Sequence, residues 1–122
     1  MTKMDPEIKA RWVAALRSGE YKQAVETLRR NGAHCCLGVL CDLFAKENGK
    51  PWRAKAMSEV GPYQSYTGGF ADSKMPGAVV CIWAGIDPYD RVEIGDTRQP
   101  LYVHNDDGRT FAEIADAIEE QL

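Results

Sequence analysis

The turn His104-Asn-Asp-Asp-Gly-Arg-Thr-Phe111 holds the densest set of side chains in the chain that could do chemistry. It collects an imidazole, an amide, two carboxylates, a guanidinium and a hydroxyl. Backbone N–H groups at the start of the helix that follows, together with Arg109, offer an anion site. Asn105 and Asp107 supply an amide and a carboxylate of the kind that read bases and ribose hydroxyls. The same composition also suits a capped turn shaped by Asn and Asp, and the residues alone leave the two readings level.

Cys35, Cys36, Cys41 and Cys81, with His34 and His104, raise two other chemistries. A tetrahedral zinc site brings its sulfurs together with spacings such as C-x₂₋₄-C. Here Cys35 and Cys36 diverge by about 100° on a helix and Cys41 follows five or six residues later, so these thiols read as buried packing groups. A catalytic pair of Cys41 or Cys36 with His34 or His104 needs a partly exposed thiol in positive surroundings. The apolar neighbours argue against it. No G-x-S-x-G elbow, G-x-x-x-x-G-K-[ST] loop or G-x-G-x-x-G fingerprint is present. Asn105 to Gly108 matches a calcium loop poorly because its glycine comes too early, and Glu119-Glu120 reads as helix surface. His34 and His104 read as hydrogen-bonded structural residues, and Arg29, Arg30, Arg53 and Arg98 as surface charges unless the fold clusters them. Trp12 and Trp83 read as core. No catalytic residue, metal or cofactor is expected.

Composition narrows the classes further. With 122 residues, 44% hydrophobic and 27% charged, the chain suits one globular domain spanning 1–122. A net charge of −3 and a pI near 5.4 argue against binding a nucleic acid polymer, which needs a basic face. A small phosphorylated ligand needs only a few arginines. No charged-then-apolar leader opens the chain, and no apolar run approaches the length of about 18 that spans a bilayer. These features predict a cytoplasmic protein with reduced thiols and no membrane partner.

The elements that must position these groups begin with the apolar run Ala33 to Gly49. At about 100° per residue its side chains cover nearly the whole circumference of a helix, so the helix must be buried. His34, Gly38 and Asp42 form one narrow stripe where something other than hydrocarbon can approach, and Gly49 is an αL stop followed by Pro51. Before this helix, Asp5-Pro6 starts an amphipathic helix over Ile8, Trp12, Ala15 and Leu16 that ends at Ser18-Gly19. The stretch GEYKQAVETLRRNG then reads as a hairpin-like or irregular connection.

From Lys50 to Lys74 periodicity disappears. So long a loop is usually functional or disordered, and Tyr63, Tyr66 and Phe70, with Arg53 as a weaker candidate, suit stacking on a ligand. Pro76 opens a short helix with Val79, Ile82 and Trp83 inward. DRVEIGD and PLYVHNDDG read as two strands, the second with Leu101 and Val103 on one side and Tyr102 and His104 on the other. Thr110-Phe-Ala-Glu113 is a capping box opening a last helix over Phe111, Ile114, Ala115, Ile118 and Leu122. The expected fold is α+β: a small single domain with a buried central helix, short antiparallel strands and helices at both ends.

Three pieces, WVAALRSGEYKQ at 12–23, CCLGVLCDLF at 35–44 and NDDGRTFAEIADAIE at 105–119, resemble a family of small phage and prophage proteins related to the Thoeris anti-defence sponges of the first type. Those sponges sequester cyclic ADP-ribose isomers made by a TIR-domain immune enzyme, and some members are associated with cyclic oligonucleotides. The resemblance implies an α+β fold, a homo-oligomer built from dimers, and a ligand held without turnover in the cytoplasm of the bacterial host. It matches Asn105, Asp107, Arg109 and Thr110 to ligand contacts. It does not align the central loop, so Tyr63, Tyr66, Phe70 and Arg53 rest on chemistry alone. Ala24-Val25-Glu26 departs from the glycine-containing pattern expected after Tyr-Lys-Gln. The rival readings are a small Cys-His hydrolase or transferase and a phage protein-interaction module gripping a host protein with its aromatic loop.

Overall fold

A computed structural model describes residues 4–49, 52–53, 69–70 and 75–122, the last two pairs of the central segment by backbone only. Helix α1 (Pro6–Arg17) starts where the sequence places it: Asp5 Oδ1 accepts from the N–H groups of Glu7 and Ile8 at 2.9 and 3.1 Å, and Pro6 takes the first position. Its inner face buries Ile8, Trp12, Val13 and Leu16. Trp12 uses its polar handle as well, donating from Nε1 to the Cys36 carbonyl at 2.9 Å.

Helix α2 (Cys36–Asn48) is the core. Cys36 to Cys41, Phe44 and Ala45 are all buried, and Gly49 ends the helix in the left-handed region at φ 62°. The helix begins at Cys36 and not at Ala33, so His34 lies on the strand before it and the expected stripe reduces to Gly38 and Asp42; the gap at Gly38 is filled from within the chain. A Cβ on Gly38 would fall on the Leu28 carbonyl, which also accepts from Cys35 N at 3.2 Å. The gap in the helix surface therefore admits a backbone crossing.

That crossing belongs to the connection between α1 and α2, irregular as far as Leu28 and then a hairpin of β1 (Arg29–Arg30) and β2 (Ala33–His34). Asn31 and Gly32 form its two-residue turn with φ of 50° and 80°, the left-handed pair that matches strand twist. Strands β3 (Trp52–Arg53) and β4 (Gly69–Phe70) pair in parallel, and β4 packs on α2.

Helix α3 (Ala78–Ala84) buries Val80 and Ala84. Ile82, expected inward, is 80% exposed, because it lies about 200° around the helix from both. Trp83 is half-buried edge-on to Phe44, with ring centroids 5.2 Å apart. β5 (Arg91–Ile94) and β6 (Thr97–Pro100) form an antiparallel hairpin. The second expected strand stops there: residues 101–106 are helix α4 (Leu101–Asp106), started by Pro100. Leu101, His104 and Asn105 are its buried side, a spacing of three and four that outweighs the two-residue alternation of Leu101 and Val103.

Helix α5 (Phe111–Gln121) opens with the expected capping box. Thr110 Oγ1 accepts from Glu113 N at 3.2 Å, and Glu113 Oε1 accepts from Thr110 N at 3.1 Å. It lies along α1 and ends by covering the free edge of β5. Gln121 accepts from Glu93 N and donates to Glu93 O, both at 2.8 Å, as a neighbouring strand would. The architecture is α+β around one core drawn from all the longer helices and β5.

Candidate functional site

The 104–110 turn joins four parts of the chain. His104 and Asn105 are both fully buried. His104 Nε2 donates to the Val92 carbonyl at 2.8 Å, which leaves Nδ1 as acceptor for the Gln99 amide at 3.4 Å. Gln99 also donates to Asp107 Oδ2 at 2.8 Å. This set ties α4 to the hairpin beside it.

Asn105 points the other way. Its Oδ1 accepts from Cys36 N, the first orphan N–H of α2, at 3.1 Å and from Gln23 Nε2 at 2.9 Å. Its Nδ2 donates to the Ala24 carbonyl at 2.8 Å and to Asp106 Oδ1 at 3.3 Å. Gln23 also donates to the Arg109 carbonyl at 2.7 Å, and Glu26 N donates to Asp106 Oδ1 at 2.8 Å. Gln23 and Asp106 are the members of this network that sequence reasoning missed. An exposed glutamine in an irregular stretch carries no local signal for a partner 82 residues away.

Arg109 bonds Glu113 Oε2 at 3.0 Å and the Ile94 carbonyl at 3.2 Å, so its guanidinium is shared between α5 and the β5–β6 hairpin. The Thr110 N–H, and then Arg109, hold the Glu113 carboxyl below its ordinary pKa. Asn105, Asp107, Arg109 and Thr110 share this turn, but their side chains are directed to different neighbours: Asn105 to Gln23, Ala24 and Cys36, Asp107 to Gln99, and Arg109 and Thr110 to Glu113.

A second polar cluster lies where the α2 stripe continues. Tyr21 donates to Asp42 Oδ2 at 2.6 Å, Lys46 Nζ sits 3.0 Å from the same oxygen and 3.3 Å from the Tyr21 hydroxyl, and Lys46 lies over the Tyr21 ring. His34 stands edge-on to Tyr21 with centroids 5.1 Å apart. Burial, and then the Asp42 carboxylate, push the Tyr21 pKa up, and Asp42 raises that of Lys46. Tyr21 is therefore poorly suited to act as a base.

Burial also lowers the His34 pKa below its ordinary 6.5, with Asp42 pulling the other way and Arg29 and Lys46 adding to the depression. The unfolded chain then takes up a proton before the folded one does. Stability is complete above about 6.5 and is lost as pH falls from there towards the folded value, with a slope of at most about 1.4 kcal/mol per pH unit. Urea midpoints are expected to drop between pH 7 and 5.5 in the wild type and to drop less in His34→Gln. Glu113, with its lowered pKa, acts only at more acid pH. Parallel profiles for the two proteins would remove His34 from the acid response.

The thiols are held in ways that suppress reactivity. Burial pushes Cys35 up to about 11, and Cys36 and Cys41 well above the ordinary thiol value. Cys35 is the N-cap of α2, its Sγ accepting from Gly38 N at 3.3 Å, and Cys36 Sγ donates to the Leu101 carbonyl at 3.7 Å. Serine is a good N-cap residue, so Cys35→Ser should change stability by no more than about 1 kcal/mol. Cys41→Ser, which buries a hydroxyl in the apolar middle of α2, should lose roughly 1–3 kcal/mol. Thermal melts that ranked the two in the opposite order would overturn this account of the core.

Tyr63 and Tyr66 lie outside the described residues. Arg53 and Phe70 are described by backbone, and the β3–β4 register sets them directly opposite one another. Among the described residues no three His, Cys, Asp or Glu side chains gather as a metal site, and no helix is long and apolar enough to cross a membrane. A shallow groove of about 400 Å³ runs along α1, lined by Pro6, Lys9, Ala10, Val13, Ala14, Arg17 and Glu119. It contains none of the ligand-contact candidates named from the sequence.

Neither the curated proteins nor the solved structures contain a match to this chain. A family profile does match, over residues 4–122, which takes in both helical ends, α2 and the whole 104–110 turn, and on that coverage the chain belongs to DUF8296, a family described as a domain of unknown function.

Proposed function

We propose that the chain is a binding protein that sequesters a cyclic, phosphate-containing adenine nucleotide of the cyclic ADP-ribose class, without turnover. On this reading it is an anti-defence sponge of phage or prophage origin. It works in the bacterial cytoplasm as a homo-oligomer built from dimers. The observation that carries the reading is the parallel pairing of β3 with β4. It opposes Arg53 to Phe70 in register, with β4 packed on α2, and the sequence between the two strands carries Tyr63 and Tyr66. Long connections anchored this way on a rigid element are where binding groups concentrate. An arginine and several aromatic residues within one segment supply the kinds of group that suit a phosphate and a base.

The raised pKa values of the buried thiols count against the rival Cys-His hydrolase or transferase. A sponge competes by affinity alone, and nanomolar binding requires about −12 kcal/mol, which stacking, cationic contacts and burial must supply together.

Calorimetric titration with a panel of cyclic ADP-ribose isomers and cyclic oligonucleotides tests the reading, with the bound ligand recovered after denaturation. Tight binding of one isomer, returned chemically unchanged, is expected. Absence of heat with every nucleotide, or recovery of a cleaved product, would refute it.

A further inference from the structure

Residues 21–26 cross the Asn105–Arg109 turn as irregular chain held at two ends. At one end Tyr21 is clasped by Asp42 and Lys46. At the other, Gln23 Nε2 gives its hydrogens to Asn105 Oδ1 and the Arg109 carbonyl, while Ala24 O and Glu26 N bond Asn105 Nδ2 and Asp106 Oδ1. Between these anchors the segment bridges to β2, with Ala24 N donating to His34 O and His34 N to Lys22 O, both at 2.8 Å. Lys22, Gln23, Val25 and Glu26 are exposed. Glu26 takes φ 62°, a left-handed conformation that its Cβ disfavours. So few buried contacts, with a strained residue at the end, describe a unit that opens more readily than the core.

Its hydrogen bonds also have a chemical pattern. One NH₂ group donates to two acceptors, as the exocyclic amine of adenine does. Resting on the nucleotide-binding reading above, we infer that residues 21–26 are an autoinhibitory strap, and that Gln23 holds the place which the exocyclic amine of an adenine ligand takes when the strap lifts. Lifting it exposes Asn105 Nδ2 as a donor, with the Arg109 carbonyl and the Asp106 carboxylate as acceptors. An Asn amide beside an acceptor is the pairing that reads an adenine edge. Asn105 Oδ1 keeps Cys36 N, so the start of α2 is not undone. Apparent affinity is reduced by the fraction of protein still strapped.

The test uses Gln23→Ala, which removes the latch, and Tyr21→Phe, which removes the Asp42 clasp without touching the turn. Native-state hydrogen exchange is followed at Ala24, His34 and Val39, and cyclic ADP-ribose is titrated into each protein. Exchange at Ala24 and His34 should rise ten-fold or more in both variants while Val39 is unchanged, and both should bind the nucleotide several-fold more tightly than the wild type. Acceleration at Ala24 and His34 only in step with Val39 would show that the segment is no separate unit and would overturn the strap. Separate acceleration with equal or weaker binding would overturn the competition. If none of the three proteins binds, the nucleotide reading and the adenine part of this inference fall together, and separate acceleration would then support the strap alone.

Discussion

Gly38→Ala is expected to lose roughly 3–5 kcal/mol of stability, a large share of the 5–15 kcal/mol that a domain of this size holds. The added Cβ would fall on the Leu28 carbonyl oxygen, 2.8 Å from its carbon and 3.2 Å from its Cα. All three atoms are backbone, so no rotamer change relieves the overlap. Leu28 is itself fully buried and its carbonyl holds Cys35 N, and moving either chain disturbs the start of α2. Overpacking a tight site typically costs 1–3 kcal/mol where side chains can adjust, and here they cannot. Gly49→Ala is the control. Nothing lies within 4 Å of its new Cβ, and only φ 62° opposes the change, which amounts to about 1 kcal/mol. Urea titrations of the two variants should differ accordingly. A Gly38→Ala protein with a midpoint equal to that of Gly49→Ala would refute the close crossing.

Gly38 also shows how far the sequence could be read. Its place in a stripe with His34 and Asp42 marks a gap on a buried helix, but what enters a gap is a matter of tertiary structure, and here it is the chain's own backbone. Signals that act within one turn of helix were legible: Asp5 with Pro6, Thr110 with Glu113 and Gly49 all stand where their local chemistry places them. Leu101 to Asp106 misled because Tyr102 alternates with Leu101 and Val103. His104, read from the sequence as a hydrogen-bonded structural residue, is one, and with Asn105 it completes the helical spacing through partners on β5, α2 and the strap that no local signal announces. The segment 24–26 departs from the glycine-containing pattern that the resemblance implies. Glu26 occupies the left-handed region that a glycine would take without strain.

Asn105 carries the second large effect. Asn105→Ala would leave the buried Cys36 N–H and the Ala24 carbonyl without their partner, at roughly 1–3 kcal/mol each. The exposed Gln23 amide can turn to water. A loss of about 3–4 kcal/mol is expected. Asn105→Asp separates the contributions. The carboxylate still accepts from Cys36 N and Gln23, but it faces the Ala24 carbonyl that Nδ2 served and puts a second negative charge beside Asp106, in a site with 0% exposure. At pH 7 it should therefore be less stable than Asn105→Ala. Burial and Asp106 raise the folded pKa of the new carboxyl above the unfolded value of about 3.9. The folded state then binds the extra proton, and stability relative to wild type recovers as pH falls from the folded pKa towards 3.9. Once protonated, below the folded pKa, the acid can donate to Ala24 O much as the amide did. Were Asn105 free in the folded protein and held in reserve for a ligand, neither variant would change the melt and neither would respond to pH. Melts of wild type, Asn105→Ala and Asn105→Asp at pH 7 and pH 4.5 decide between these, and equal stability of all three at both values would remove Asn105 from the framework that joins α2, α4 and the strap.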